Sequence, residues 1–181
     1  MSKKIISIVA SVVTIAILFI GYSFYKKIHS KNVTKNFSLY IKSSDDFDNV
    51  KEKITPFLND VDGFIWVANR KNYKKPKAGR YILKKDMSNN DLVNLLRSGN
   101  QTAIKLSFNN QNTLENLAGR IAAQLEADSV SLLTSFKDPE FLSKNKFTEK
   151  SVLQIFIPNS YQFYWNTSAT KFRDKMLAEY H

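Results

Sequence analysis

Glu115, Glu126, Glu140 and Glu149 are candidate general acids. A carboxyl can protonate a departing oxygen when its pKa is raised toward the working pH. Raising it takes burial away from water or a neighbouring negative charge. Nothing around these four glutamates in sequence marks such a setting, so helix-capping or solvated roles are expected. A second constellation is aromatic. Tyr161, Phe163, Tyr164 and Trp165 crowd one short stretch. Flat rings can stack on the C–H faces of sugars, and the same residues also make ordinary sheet and core packing. Tyr161, Tyr164 and Trp165 are the candidate substrate-binding residues. The histidines, His29 and His181, lie at opposite ends of the chain, and no metal-ligand cluster is visible. With no cysteine there is no disulfide framework and no thiolate chemistry. Gly-rich phosphate loops, HExxH and GxSxG are absent, and no cofactor is expected. The Asn-x-Ser/Thr sequons at Asn32, Asn36, Asn100 and Asn166 are expected by chance in a chain rich in Asn and Ser.

These groups need a scaffold, and its first element is apolar. Ile5 to Phe24 contains no charge and no proline, and its length matches the roughly 20 residues that cross a bilayer as a helix. The run is longer than a signal-peptide core, and no small-x-small cleavage site follows it. A buried soluble helix fits poorly because the segment is apolar all round. A single N-terminal transmembrane anchor is expected. Lys3 and Lys4 precede it, and Lys26, Lys27, Lys31 and Lys35 follow it. Counted literally, the positive-inside rule puts the C-terminal side in the cytoplasm. The formal charge of +11 raises the possibility of an anionic partner. No recognition motif for nucleic acid accompanies it, and scattered lysines fit a solvated surface. A basic, tethered domain can also face anionic lipid or wall polymer.

Beyond a basic stalk, residues 26–36, order is expected from Phe37. Phe37, Leu39 and Ile41 alternate as in a half-buried strand. Phe47, Val50, Ile54 and Leu58 recur at helical spacing until Pro56 interrupts. A second short helix runs from Val61 and ends before Tyr73. The turn Lys75 to Arg80 then leads to a strand at Tyr81–Leu83. Ser88 opens a helix that Gly99 closes. Ile104, Leu106 and Phe108 alternate as a strand. Thr113 caps a helix with Leu114, Leu117, Ile121 and Leu125 on its stripe, and another helix begins near Asp128. Tyr161 to Trp165 suits a strand, and Ala169 to Tyr180 suits a helix that no stop signal closes. The expected core includes Phe37, Leu39, Phe47, Val50, Ile54, Phe64, Tyr81, Leu92, Leu96 and Leu106.

The order of these pieces resembles the endolytic murein transglycosylases of the MltG/YceG-like family, in its Bacteroidetes-type form. The residues that carry the resemblance begin with Ala78-Gly79-Arg80-Tyr81 and the helix Met87 to Gly99. Leu106-Ser107-Phe108 and Thr113 to Ala118 follow, and Phe156-Ile157-Pro158-Asn159-Ser160-Tyr161 closes the series. Two departures stand out. Ser151-Val152-Leu153-Gln154 replaces the Leu-Glu-Gly found before the proline in many members, and Ser160 stands where threonine is usual.

The resemblance implies an α+β protein. It would have a cytoplasmic tail at 1–4, a transmembrane helix at 5–25, the stalk, and a LysM-like βααβ subdomain with its following helix and strand at 37–108. Residues 109–181 would begin a mixed α+β catalytic domain and leave it incomplete. The implied protein is single-pass in the inner membrane with its globular part in the periplasm. It would cleave nascent glycan strands to leave 1,6-anhydro ends. Its implied partners are peptidoglycan glycan strands, membrane lipid and cell-wall synthesis enzymes, and not nucleic acid. The family's catalytic glutamate lies beyond the position of His181, so no catalytic residue is assigned in this chain. A wall-binding tether without catalysis is the alternative, and a basic protein binding nucleic acid or anionic lipid is a third.

Overall fold

The computed structural model describes residues 3–181, with the side chains of Ser7 and of residues 11–181. Of the expected anchor, the side chains of Ile5, Ile6 and residues 8–10 lie outside the description, as do Met1 and Ser2. The chain folds as an α+β protein in two compact units. One comprises the described residues up to Leu39 with Asp45–Lys77 and Tyr81–Asn100; the other comprises Tyr40–Ser44, Ala78–Arg80 and Gln101–His181.

Unit 1 begins with one long helix, α1 (Lys3–His29). Ser11–His29 is long and apolar enough to cross a membrane. Ile15, Leu18 and Phe19 on it are 66%, 67% and 74% exposed. Order begins before Phe37, where it was expected to start. Lys31 bridges Ser88 and Val33 bridges Leu58 as isolated β-pairs, and Asn32 and Val33 are buried.

β1 (Phe37–Ile41) pairs with β2 (Gly79–Leu83) in a two-stranded sheet. Between them lie α2 (Phe47–Ile54) and α3 (Val61–Arg70). Asp46 opens α2 with a capping box that uses Asn49, and α2 yields to a single tight turn at Thr55–Phe57 where Pro56 cannot donate. Asp60 caps α3 by accepting from Gly63 N–H at 2.8 Å. α4 (Asn89–Ser98) starts at its Ser88 cap and stops at Gly99, whose φ of 75° is left-handed. Leu39, Val50, Ile54, Phe64, Tyr81, Leu92 and Leu96 are buried as expected. Phe37 and Phe47 are half-buried; each stacks on another ring, Phe57 and Phe64 respectively.

Unit 2 is built on β3 (Ile104–Phe108) and β4 (Asn159–Phe163), antiparallel with Leu106 opposite Tyr161. This pairing puts β3 and Leu106 in unit 2, whereas the sequence reading grouped them with the residues before 108. The helices are α5 (Leu114–Ala122), α6 (Ser129–Phe136), α7 (Pro139–Lys144) and α8 (Ala169–Tyr180). Each has a side-chain N-cap: Thr113, Asp128, Asp138 and Ser168. Their apolar stripes meet the inner face of the sheet in one core, with Leu106, Leu117, Ile121, Phe136, Phe156 and Phe172 at its centre.

Candidate functional site

Strand alternation decides where the aromatic cluster points. Tyr161 and Phe163 share the inner face of β4 and are 8% and 4% exposed. The Tyr161 ring stacks on Phe108 at 5.9 Å, and its hydroxyl donates to the Ile157 carbonyl at 2.7 Å. Burial pushes its phenol pKa up. Tyr161 therefore packs the core and offers no ring face to a ligand.

β4 ends at Phe163, two residues before the expected end, so Tyr164 and Trp165 follow the strand and diverge from it. Tyr164 is 53% exposed and edges a hollow of about 390 Å³ with Gln162, Lys171 and Lys175. Trp165 packs edge-to-face on Tyr40, with ring centroids 5.1 Å apart. These two rings line a second hollow of about 380 Å³ with Lys105 and Gln124. The three candidate residues are thus not brought together.

Of the four glutamates, Glu115 and Glu149 converge on Lys137 and the other two lie elsewhere. Glu115 meets Lys137 at 2.9 Å, and the hydrogen bond from that ammonium holds its carboxyl below the usual glutamate range. A general acid needs the opposite shift. Glu149 also reaches Lys137, at 3.7 Å. Glu126 accepts from the Ser43 hydroxyl at 2.8 Å, and Glu140 sits in the first turn of α7. Among the described residues no group of three or more His, Asp and Glu side chains could hold a metal ion.

A wider hollow, about 1040 Å³, was not anticipated. Its wall includes Glu126, Asp128, Asp138, Asn166 and Arg173. Arg173 is 7% exposed; it donates to the Ser135 carbonyl at 3.0 Å and to Asp138 at 3.1 Å. Burial pushes the Asp138 carboxyl up, but the backbone N–H of Glu140 and the Arg173 guanidinium outweigh it and leave the pKa lowered. The backbone N–H of Ser131 does the same for Asp128. The buried Ser135 hydroxyl has no partner among the described residues. The pair Asp138-Pro139, an N-cap followed by proline at the first helical position, was the available signal for this corner. The wall combines Asp128, Asp138, the Arg173 guanidinium, the Lys137 ammonium and hydroxyls with apolar side chains such as Val130 and Leu133. The carboxyls of Asp128 and Asp138 are shifted away from the range a general acid needs.

The sequence model of the YceG-like family matches residues 39–181, and the chain belongs to that family. A solved structure of a YceG-like protein from Listeria monocytogenes is similar over 81% of this chain, at 22% identity and a TM-score of 0.45. The chain spans 54% of that protein's length. No curated protein matches the chain.

Proposed function

We propose that this chain is the membrane-anchored N-terminal part of a peptidoglycan lytic transglycosylase, which cuts nascent glycan strands and leaves 1,6-anhydro ends. The observation that carries this reading is the family match over residues 39–181. In such a reaction one carboxyl protonates the glycosidic oxygen, and the sugar's own C6 hydroxyl closes the anhydro ring. Glu115, whose carboxyl is held low by Lys137, is shifted the wrong way for that role, and following the family resemblance we assign the acid to none of Glu115, Glu126, Glu140 and Glu149.

The strand–helix–helix–strand order of β1, α2, α3 and β2 supports a LysM-like subdomain. The exposed apolar side chains of α1 support a membrane anchor, and we place the globular part in the periplasm. Tyr164 and Trp165 are the rings we propose to touch glycan, with Tyr161 holding β4 from within the core. Membrane lipid and cell-wall synthesis enzymes complete the proposed partners.

The natural protein containing this chain is to be incubated with purified sacculi and the products read by mass spectrometry. Fragments with 1,6-anhydro ends above a heat-killed control are expected. Binding to sacculi with no such products would overturn the enzyme reading and favour a non-catalytic wall tether.

A further inference from the structure

The last turns of α1 are fastened to unit 1 without a linker. The Asn89 side-chain amide donates to the Lys27 carbonyl at 2.9 Å, and Asn32 N–H donates to the Met87 carbonyl at 2.9 Å. The Phe24 ring, at the end of the apolar run, stacks on Trp66 of α3 with centroids 5.4 Å apart. Lys27 and Arg70 both lie over the Trp66 ring, at 5.8 and 5.3 Å from its centroid. Arg70 is exposed, and Trp66 and Lys27 are half-exposed.

The level of these groups follows from helix geometry. Charge begins at Lys26, so the hydrocarbon ends near Phe24 and Tyr25. Lys27 is three residues further along, about 4.5 Å at 1.5 Å per residue. The headgroup layer is roughly 5 to 7 Å deep on each side of the hydrocarbon. Lys27 therefore lies within that layer. Trp66, which touches Phe24 and Lys27 at once, lies at the same level. An amphipathic indole and long basic side chains are the groups that settle there.

We infer that unit 1 sits directly on the bilayer that α1 spans, with Trp66 in the headgroup layer and Lys27 and Arg70 binding anionic phospholipid headgroups. The inference rests on the reading of α1 as a membrane anchor. The anionic choice follows from charge: Lys27 and Arg70 meet over the Trp66 ring, Lys26 adjoins Lys27 in sequence, and anionic leaflets attract such basic groups.

The test uses the full chain carrying Trp165→Phe, which leaves Trp66 as its one tryptophan. It is reconstituted in phosphatidylcholine vesicles with or without phosphatidylglycerol, and in both with lipid spin-labelled near the headgroup. Resistance to alkaline carbonate is checked first. Quenching of Trp66 by the shallow label is expected to exceed quenching by aqueous iodide several-fold, and to rise with phosphatidylglycerol. The double variant Lys27→Ala/Arg70→Ala should lose the rise, and Lys27→Arg/Arg70→Lys should keep it. A carbonate-resistant chain whose Trp66 is quenched by iodide and not by the lipid label would overturn this inference and leave the anchor standing. Quenching by the label that ignores phosphatidylglycerol would overturn the headgroup preference. Release by carbonate would overturn the anchor and this inference together.

Discussion

Asn32 and Asn89 hold one another across unit 1: the Asn32 side-chain amide donates to the Asn89 side-chain oxygen, and both residues are 2% exposed. Asn32 also donates to the Asp60 carbonyl at 2.9 Å, and Asn89 donates to Lys27. One pair thus joins the end of α1, the cap of α3 and the first residue of α4. Removing either amide leaves buried polar atoms unpaired, at about 1 to 3 kcal/mol each. Asn32→Ala and Asn89→Ala should each lower stability by at least that much in chemical denaturation. The double variant should lose less than the sum, because each single change has already broken the shared bond.

Two glycines should respond to alanine with opposite signs. A Cβ on Gly63 would lie 2.1 Å from an Asp60 carboxylate oxygen and 2.7 Å from the Asn89 amide nitrogen. Both side chains are committed to the network above, so Gly63→Ala must displace the α3 cap, at a cost of about 1 to 2 kcal/mol. Gly119 lies mid-helix in α5 with nothing within 4 Å of the added carbon. Gly119→Ala should stabilise by about 0.5 to 1 kcal/mol. Thermal melts of the two variants, moving in opposite directions, are the expected result.

These contacts show which parts of the structure could be read in advance. Caps and stripes are local, so Ser88, Gly99, Thr113 and Asp128 announce their helices without help from the rest of the chain. The burial of Asn32 and Val33 is not local. It depends on residues 57–60 and 86–89, and a lysine-rich segment with no apolar stripe reads as solvated. β4 begins at Asn159 because Phe108 faces it across the ladder, a register fixed by β3 and not by composition. Asp138-Pro139 marks a helix start, but no motif links Glu126, Asp138 and Arg173 in sequence, so the hollow around Arg173 is legible only once the helices are packed.

Acid should loosen unit 2 through groups whose pKa is lowered on folding. The Lys137 ammonium lowers Glu115, the Ser131 backbone lowers Asp128, and the Glu140 backbone and Arg173 lower Asp138 against its burial. A depressed carboxylate stabilises the fold fully above its unfolded pKa, about 4.3 for Glu and 3.9 for Asp. That contribution is lost as pH falls through the lower folded value. Stability should be flat in these groups from neutrality to about pH 5 and decline below about pH 4. Glu115→Gln should reduce the decline. An unchanged acid slope in that variant would show that Glu115 titrates alike in the folded and unfolded chains.

Tyr161, Tyr164 and Trp165 should separate into one that folds the protein and two that serve its ligand. Tyr161 is enclosed by Phe108 and Phe163, and its hydroxyl is satisfied by Ile157. Tyr161→Ala should therefore cost about 3 to 5 kcal/mol, the range for emptying an aromatic site in a core. Tyr161→Phe keeps the ring and should cost only about 1 kcal/mol, the worth of one hydrogen bond. Tyr164 stands 53% exposed beside Lys171 and Lys175, so Tyr164→Ala should change stability by no more than about 0.5 kcal/mol. Trp165 has one neighbour ring, Tyr40, and its truncation should fall between these limits. Co-sedimentation with sacculi reads the second property. Tyr164→Ala and Trp165→Ala should weaken binding several-fold while the melts show them folded. Tyr161→Phe should bind as the parent does, because its ring never reaches the surface. If Tyr164→Ala and Trp165→Ala both bind like the parent, glycan does not use these rings, and the wide hollow beside Arg173 becomes the surface to mutate next.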